Sequence, residues 1–183
     1  MDEREFDVYL RPITVEDTDD IIQWRDSEDV RKYFIYQGVL TREGHLRWLE
    51  TRIQSGEVVQ FIIVEKRTEE SIGSVYLRDV DHVDHKAEYG IFIGMENKKG
   101  KGYGTQAAKL LIRYAFEILD LHRVYLRVFA DNKRAIASYQ KAGFCLEGIS
   151  RSDVYVRGTY KDIAWMAVIN SKEEEQDGHG EEV

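Results

Sequence analysis

The segment that decides the fold reads Ile91-Phe92-Ile93-Gly94-Met95-Glu96-Asn97-Lys98-Lys99-Gly100-Lys101-Gly102-Tyr103-Gly104-Thr105. An apolar run typical of a strand leads into a glycine-rich loop, and a helical pattern follows the loop directly. Such a loop presents backbone N–H groups at the positive end of a helix dipole, where they can bind a phosphate or pyrophosphate. The glycines let the backbone approach the anion closely, and two lysines in the loop add positive charge. The alternative is an ordinary tight turn in which the glycines only supply positive φ angles.

The loop differs from two common phosphate-binding motifs. It lacks the Gly-Lys-Ser/Thr ending of a P-loop. With Ala107 in the last position, the variant form of the dinucleotide-binding fingerprint fits literally. However, the loop follows several strands of antiparallel type, whereas that fingerprint follows the first strand of a βαβ unit.

Downstream of the loop, the pattern predicts alternating helices and strands. The first helix is expected over Thr105–Leu119, with one apolar face formed by Ala107, Leu110, Leu111, Tyr114, Ala115 and Ile118. The elements predicted after it are a strand at Arg123–Phe129, a helix at Asn132–Lys141 ending at Gly143, and strands at Phe144–Gly148 and Ile163–Ile169.

Upstream of the loop, two helices and several strands are predicted. Thr14 and Asp17 form a capping-box pattern for a helix to about Arg25, and Thr41 caps a helix to about Gln54. The apolar face of the second helix is Leu46, Leu49 and Ile53, and residues 26–40 are expected to be irregular. Strands are predicted at Val8–Arg11, ended by Pro12, and at Val58–Glu65, Ser71–Asp79 and Ala87–Gly94. This order predicts a mixed α/β domain over residues 1–170, with about seven mostly antiparallel strands and about four helices.

Composition and charge limit the possible partners. Of the net charge of −8, the segment 171–183 carries −5, and we expect this segment to be an acidic, disordered tail. A body of net charge −3 argues against nucleic-acid binding. No apolar run approaches the roughly 20 residues of a membrane span, and the start of the chain is charged, so a cytoplasmic protein is expected.

The cysteine and histidine content gives little sign of a disulfide or a metal site. The single cysteine, Cys145, excludes a disulfide framework and is predicted to be buried. His82 and His85 are weak signals for metal binding, and no metal is predicted.

Three groups of residues carry a resemblance to a known family. The loop Lys99-Gly100-Lys101-Gly102-Tyr103-Gly104 resembles the pyrophosphate loop of the GNAT acetyltransferase superfamily, with Lys99 in place of the usual glutamine or arginine. Asn132, Ala135 and Tyr139, followed by Gly143-Phe144, resemble the second half of that family. The segment Gly158–Asp162 resembles the branch of ribosomal-protein and spermidine N-acetyltransferases. Trp24-Arg25-Asp26 and Gly44–Leu49 resemble that branch and its amino-sugar-nucleotide relatives.

The resemblance implies an acetyl-CoA-dependent N-acetyltransferase with the GNAT fold. Residues Lys99 to Thr105 would bind the pyrophosphate, and Asn132 would contact the coenzyme. The backbone N–H groups of Ile91, Phe92 and Ile93 would bind the thioester carbonyl and the pantetheine amides. Tyr139 would face the thioester sulfur.

Acetyl transfer to an amine also requires proton transfers. An alkyl ammonium has a pKa of about 10.4 and must lose a proton before it attacks. Glu88 is the predicted base, acting through a water molecule, and the alternative for it is a solvated charge at a strand edge. Tyr139 is the predicted acid that protonates the leaving thiolate, and the alternative is a half-buried helix aromatic.

The acceptor is the least determined part of the prediction. A protein N-terminal amine is predicted, because the motifs resemble that branch and because acids and bases alternate over residues 25–32. Small-molecule alternatives are a polyamine such as spermidine or an amino-sugar nucleotide. A non-catalytic acyl-CoA-binding module and assembly into a homo-oligomer also remain open.

Overall fold

The computed structural model describes residues 6–171 and contains one seven-stranded sheet. The strands are β1 (Val8–Pro12), β2 (Val58–Glu65), β3 (Glu70–Asp81), β4 (Lys86–Ile93), β5 (Arg123–Phe129), β6 (Cys145–Val156) and β7 (Thr159–Ile169). The α-helices are α1 (Thr18–Asp26), α2 (Glu28–Arg31), α3 (Arg42–Trp48), α4 (Tyr103–Glu117) and α5 (Lys133–Ala142). The predicted mixed, mostly antiparallel α/β fold is confirmed. The predicted acidic tail lies outside the described residues, apart from Ser171.

The sheet is antiparallel except at its centre. Its strand order is β1-β2-β3-β4-β5-β7-β6, and only β4 and β5 run parallel. Their pairing covers three residues of each strand and ends at Glu88 and Tyr125. On its other side β4 stays paired with β3 as far as Ile93. A gap therefore opens between β4 and β5, and the edge of β4 from Tyr89 to Ile93 has no strand partner on that side.

The alternation along β4 directs its side chains into two separate layers. Ala87 and Tyr89 belong to the large core beneath α4 and α5. Phe92 belongs to a second core with Trp24 of α1 and Leu49 after α3. Since Glu88 and Gly90 point to the same face as Phe92, the gap in the sheet lies between the α4/α5 layer and the α1/α3 layer.

The predicted helix caps upstream of the loop are present, but the helices there end differently from the prediction. The capping box of Thr14 and Asp17 is present, and Thr41 accepts a hydrogen bond from the Gly44 N–H. The helix predicted to about Gln54 is α-helical to Trp48 and continues as a π-helical turn at Leu49–Ile53. The region predicted to be irregular contains the short helix α2.

Three burial predictions are wrong. Cys145 is exposed because it starts β6, the edge strand of the sheet. Leu46 is 37% exposed, and its neighbour His45 is buried in its place, against Thr18 of α1. Ile118 is 66% exposed because α4 ends at Glu117, so the apolar stripe of that helix stops before it.

Candidate active site

The glycine-rich loop has the backbone geometry of an anion site. Gly100 and Gly102 adopt φ angles of 78° and 85°, in the left-handed region that favours glycine. Gly102 directly precedes α4, and no side chain within residues 6–171 caps that helix. A Cβ atom built on Gly102 would meet no atom of the described residues within 4 Å, so the space above this glycine is open. The N–H groups of the first turn of α4 are therefore available to an external anion.

Three cationic side chains surround this loop, and their surroundings differ. Lys99 is ion-paired with Glu96, whereas Lys101 is exposed. Arg134, in the first turn of α5, places a guanidinium nitrogen 3.4 Å from the position of a Cβ on Gly100. Sequence reasoning missed Arg134, because only the tertiary fold brings α5 over the loop. Arg134 and Lys101 can both supply charge to a bound phosphate.

A buried ionic cluster holds both ends of the loop. Lys98, directly before the loop, donates to Glu65 of β2 at 2.5 Å and to Glu70 at 2.7 Å. Tyr103, the first residue of α4, also donates its hydroxyl proton to Glu65. Glu65 is 2% exposed, and its hydrogen bond from Lys98 lowers its pKa to about 2. Glu65 was missed by sequence reasoning, since nothing local marks a strand residue as the partner of a loop 33 residues later.

Helix α5 brings Tyr139 to the gap. The Asn132 side chain accepts a hydrogen bond from the Ala135 N–H at 3.2 Å and so begins the helix. The Tyr139 ring packs edge-to-face on Tyr89, in the unpaired part of β4, with ring centroids 5.9 Å apart. Burial raises the pKa of Tyr139 above its ordinary value, so its hydroxyl keeps its proton at neutral pH. Among the described residues this hydroxyl has no hydrogen-bond partner and is free to donate. Thr105 is turned to α5, where its hydroxyl bonds to Ser138 at 2.8 Å.

On the other face of β4, Glu88 is enclosed by two arginines. Arg78 donates to Glu88 at 2.8 Å, and Arg127 of β5 donates to both carboxylate oxygens at 3.1 and 3.3 Å. The Glu88 residue is 7% exposed. The alternative of a solvated charge at a strand edge is therefore wrong. Both carboxylate oxygens of Glu88 therefore accept hydrogen bonds from guanidinium groups.

Aromatic residues line the same face beside Glu88. The Tyr76 ring of β3 crosses over Gly90, where a Cβ atom would lie only 2.3 Å from it. Phe34 packs on Phe92 with ring centroids 5.8 Å apart, and the Arg25 guanidinium lies 3.5 Å above the Phe34 ring. These residues form a wall next to the gap on the side opposite Tyr139.

The sequence model of the acetyltransferase (GNAT) domain matches residues 7–145. The chain belongs to the GNAT acetyltransferase family. Over 161 residues this GNAT chain is 30% identical to the spermidine N(1)-acetyltransferase of Escherichia coli (strain K12), a match that covers 88% of this chain and 85% of the relative. It is 37% identical over 97 residues to a candidate ribosomal N-acetyltransferase, YdaF of Bacillus subtilis, covering 53% of this chain and 52% of that protein.

Solved structures of a spermidine N-acetyltransferase have the same fold as this chain. The spermidine N-acetyltransferase from Vibrio cholerae in complex with CoA and spermine has a TM-score of 0.84 at 24% identity, covering 91% of this chain and 97% of that one. A dodecameric structure of the Vibrio cholerae enzyme has a TM-score of 0.78 at 23% identity, covering 93% and 98%. The predicted GNAT resemblance and the predicted enzyme class are confirmed. Over residues 6–171, no helix is long and apolar enough to cross a membrane.

Proposed function

We propose that this chain transfers the acetyl group of acetyl-CoA to the primary amine of a small molecule. The observation that carries the proposal is the extent of the match to the Escherichia coli spermidine enzyme, which covers 88% of this chain and therefore includes residues on both sides of the gap. The match to the candidate ribosomal enzyme covers only 53%. The comparisons thus favour the small-molecule alternative over the protein N-terminus predicted from the sequence.

The coenzyme site follows from the loop and the gap. The residues fit acetyl-CoA, since the space above Gly102 is open and the first turn of α4 is uncapped. We assign the pyrophosphate to residues Lys99–Thr105, with charge from Lys101 and Arg134. The pantetheine arm would lie in the gap along Ile91–Ile93, whose peptide groups have no β5 partner, and the contact with Asn132 remains a prediction.

This placement brings the thioester between Tyr139 and the face that carries Glu88. The neutral amine attacks the thioester carbonyl carbon, and the developing oxyanion accepts hydrogen bonds from unpaired N–H groups of β4. The carbon–sulfur bond then breaks, and the Tyr139 hydroxyl donates its proton to the thiolate. The amine proton leaves through water, which also restores the phenol.

The role of Glu88 follows from its contacts. The predicted base role stays a prediction, and both carboxylate oxygens are already hydrogen-bonded to guanidinium groups. We propose that Glu88 acts as a positioning residue for Arg78 and Arg127, which border the acceptor side of the gap. Since family membership makes this chain an enzyme, the non-catalytic alternative has no support.

The test is a comparison of acceptors by the release of CoA thiol from acetyl-CoA. Spermidine is the first acceptor to test because it appears in the names of the relatives. Glucosamine and a short peptide with a small first residue are the others. We expect at least one small amine to exceed the peptide in kcat/KM by about tenfold or more, about 1.4 kcal/mol. A peptide that exceeds every small amine by the same factor would restore the protein N-terminus as the acceptor.

A further inference from the structure

Three acidic residues of the acceptor side are already paired with neighbouring cations. Glu28 of α2 accepts two hydrogen bonds from Arg157, in the turn between β6 and β7, at 2.5 and 3.2 Å. Asp29 pairs with Lys32 at 2.8 Å. Glu88 is shared by two arginines, as described above. A polyamine would need several converging carboxylates for its multiple charges, and these acids do not offer them.

Among the described residues, two arginines of the same side are left without an ion pair. Within residues 6–171, the Arg25 guanidinium has no hydrogen bond and no carboxylate within ion-pair distance, although Asp26 is near enough for their charges to interact. Arg31 donates to the carbonyl of Gln37 at 2.8 Å, but its Nε is buried and has no partner among the described residues. The two guanidinium groups also repel each other. A partly buried cation without a counter-charge is costly and is expected to have an anionic partner.

The position of Arg25 connects this unpaired charge to the gap. Its guanidinium lies on the Phe34 ring, which packs on Phe92 of β4. It also lies near Tyr76, whose ring covers Gly90 in the unpaired part of β4. An acceptor whose amine reaches the thioester through the gap would therefore have its remaining atoms beside Arg25.

We infer that Arg25, with Arg31 beside it, binds an anionic group, a phosphate or a carboxylate, on the amine that is acetylated. A guanidinium offers a planar pair of N–H donors that matches both groups. This inference rests on the proposed function and makes it more specific: the acceptor is a small amine with an acidic group rather than a polycation.

Matched acceptors test the inference directly. Glucosamine is compared with glucosamine 6-phosphate, and butylamine with γ-aminobutyrate, while spermidine serves as the polycation. We expect at least one anionic member to exceed its neutral partner in kcat/KM by about 10- to 100-fold, the range for a hydrogen bond to a charged group. The pair that shows the preference identifies phosphate or carboxylate as the anion.

Arg25→Gln should lower the ratio of anionic to neutral kcat/KM by a similar factor, mainly through the KM of the anionic acceptor. Arg25→Lys should restore part of the ratio. Arg47→Gln, which alters an exposed arginine of α3, should leave the ratio unchanged. The thermal shift with acetyl-CoA reports whether each variant is folded. The inference fails if spermidine has a higher kcat/KM than every anionic acceptor. It also fails if Arg25→Gln lowers kcat/KM equally for the anionic acceptor and for its neutral partner. The proposed function itself fails if the peptide exceeds every small amine in kcat/KM by about tenfold or more, whatever the effect of Arg25→Gln.

Discussion

The two sides of the gap are built in different ways. The proposed coenzyme side consists of one contiguous stretch, residues 91–105, together with the first turns of α4 and α5, and it presents mainly backbone N–H groups. The acceptor side brings together side chains from α1, α2, β3, β4 and β5, and its chemistry lies in arginines and aromatic rings. A cosubstrate of constant structure can be bound by backbone groups, which do not depend on the side chains. The relatives are named for different acceptors, so we expect this chain to differ from its relatives on the acceptor side.

The largest expected effect concerns Tyr139, which lies between the two sides. Tyr139→Phe keeps the ring contacts with Tyr89 and removes the proton donor. We expect kcat to fall by about 10²- to 10⁴-fold, the usual contribution of a general acid, while the Kd of acetyl-CoA changes little. Thiol release and calorimetry measure the two quantities. Tyr155→Phe, at an exposed position of β6, is the control, and wild-type turnover in Tyr139→Phe would leave that ring with a packing role only.

The second-largest effect is expected for acetyl-CoA binding at the glycine-rich loop. Acetyl-CoA at 100 times its Kd should stabilise the wild-type fold by about 2.7 kcal/mol. Gly102→Glu should remove most of this stabilisation, because the new side chain occupies the anion's space and repels it. Gly56→Glu introduces the same charge at a glycine with a similar φ of 80° and open surroundings, far from the loop in sequence. An unchanged ligand shift in folded Gly102→Glu protein would place the phosphates elsewhere.

Glu88→Gln distinguishes a base from a positioning residue. Loss of the carboxylate leaves Arg78 and Arg127 without their shared partner, and both are partly exposed, so we expect stability to fall by about 1–2 kcal/mol. The KM of the acceptor should rise, and the shape of the pH–rate profile should stay as in the wild type. If the rate deficit instead disappears as the pH rises towards the amine pKa of about 10.4, Glu88 is the base.

The smallest effect on activity is expected at Glu65, which acts on the proposed coenzyme side only through the loop. The folded-state pKa of about 2 lies below the ordinary value of about 4.3. The stability that Glu65 contributes is therefore complete above the ordinary value and is lost as the pH falls towards 2. Glu65→Gln should lower Tm at neutral pH and weaken acetyl-CoA binding a few-fold, and its Tm difference from the wild type should shrink in acid. Glu43→Gln, an exposed substitution on α3, should change neither quantity; a Glu65→Gln difference that does not vary with pH would contradict the assigned ion pair.

Sequence alone predicted much of the local structure on the proposed coenzyme side. The bounds of β2 and β5 match the prediction, and the loop was recognised because its glycines and the helix after it are adjacent in the chain. The β6–β7 hairpin was predicted too short, because residues 149–162 are largely exposed and lack apolar alternation. Arg25 lies near Tyr76, Glu65 bonds to Lys98, and Arg134 lies beside Gly100. These contacts join segments that are distant in the chain, so no local sequence pattern predicts them.

The most direct test of the division between the two sides is a two-substrate initial-rate experiment on wild type, Gly102→Glu and Arg25→Gln. The wild type should release thiol only when a small amine is present. Gly102→Glu should raise the KM of acetyl-CoA and leave the acceptor preference unchanged, whereas Arg25→Gln should change the acceptor preference and leave the KM of acetyl-CoA unchanged. If either variant changed both the KM of acetyl-CoA and the acceptor preference to the same extent, that result would contradict separate coenzyme and acceptor sides.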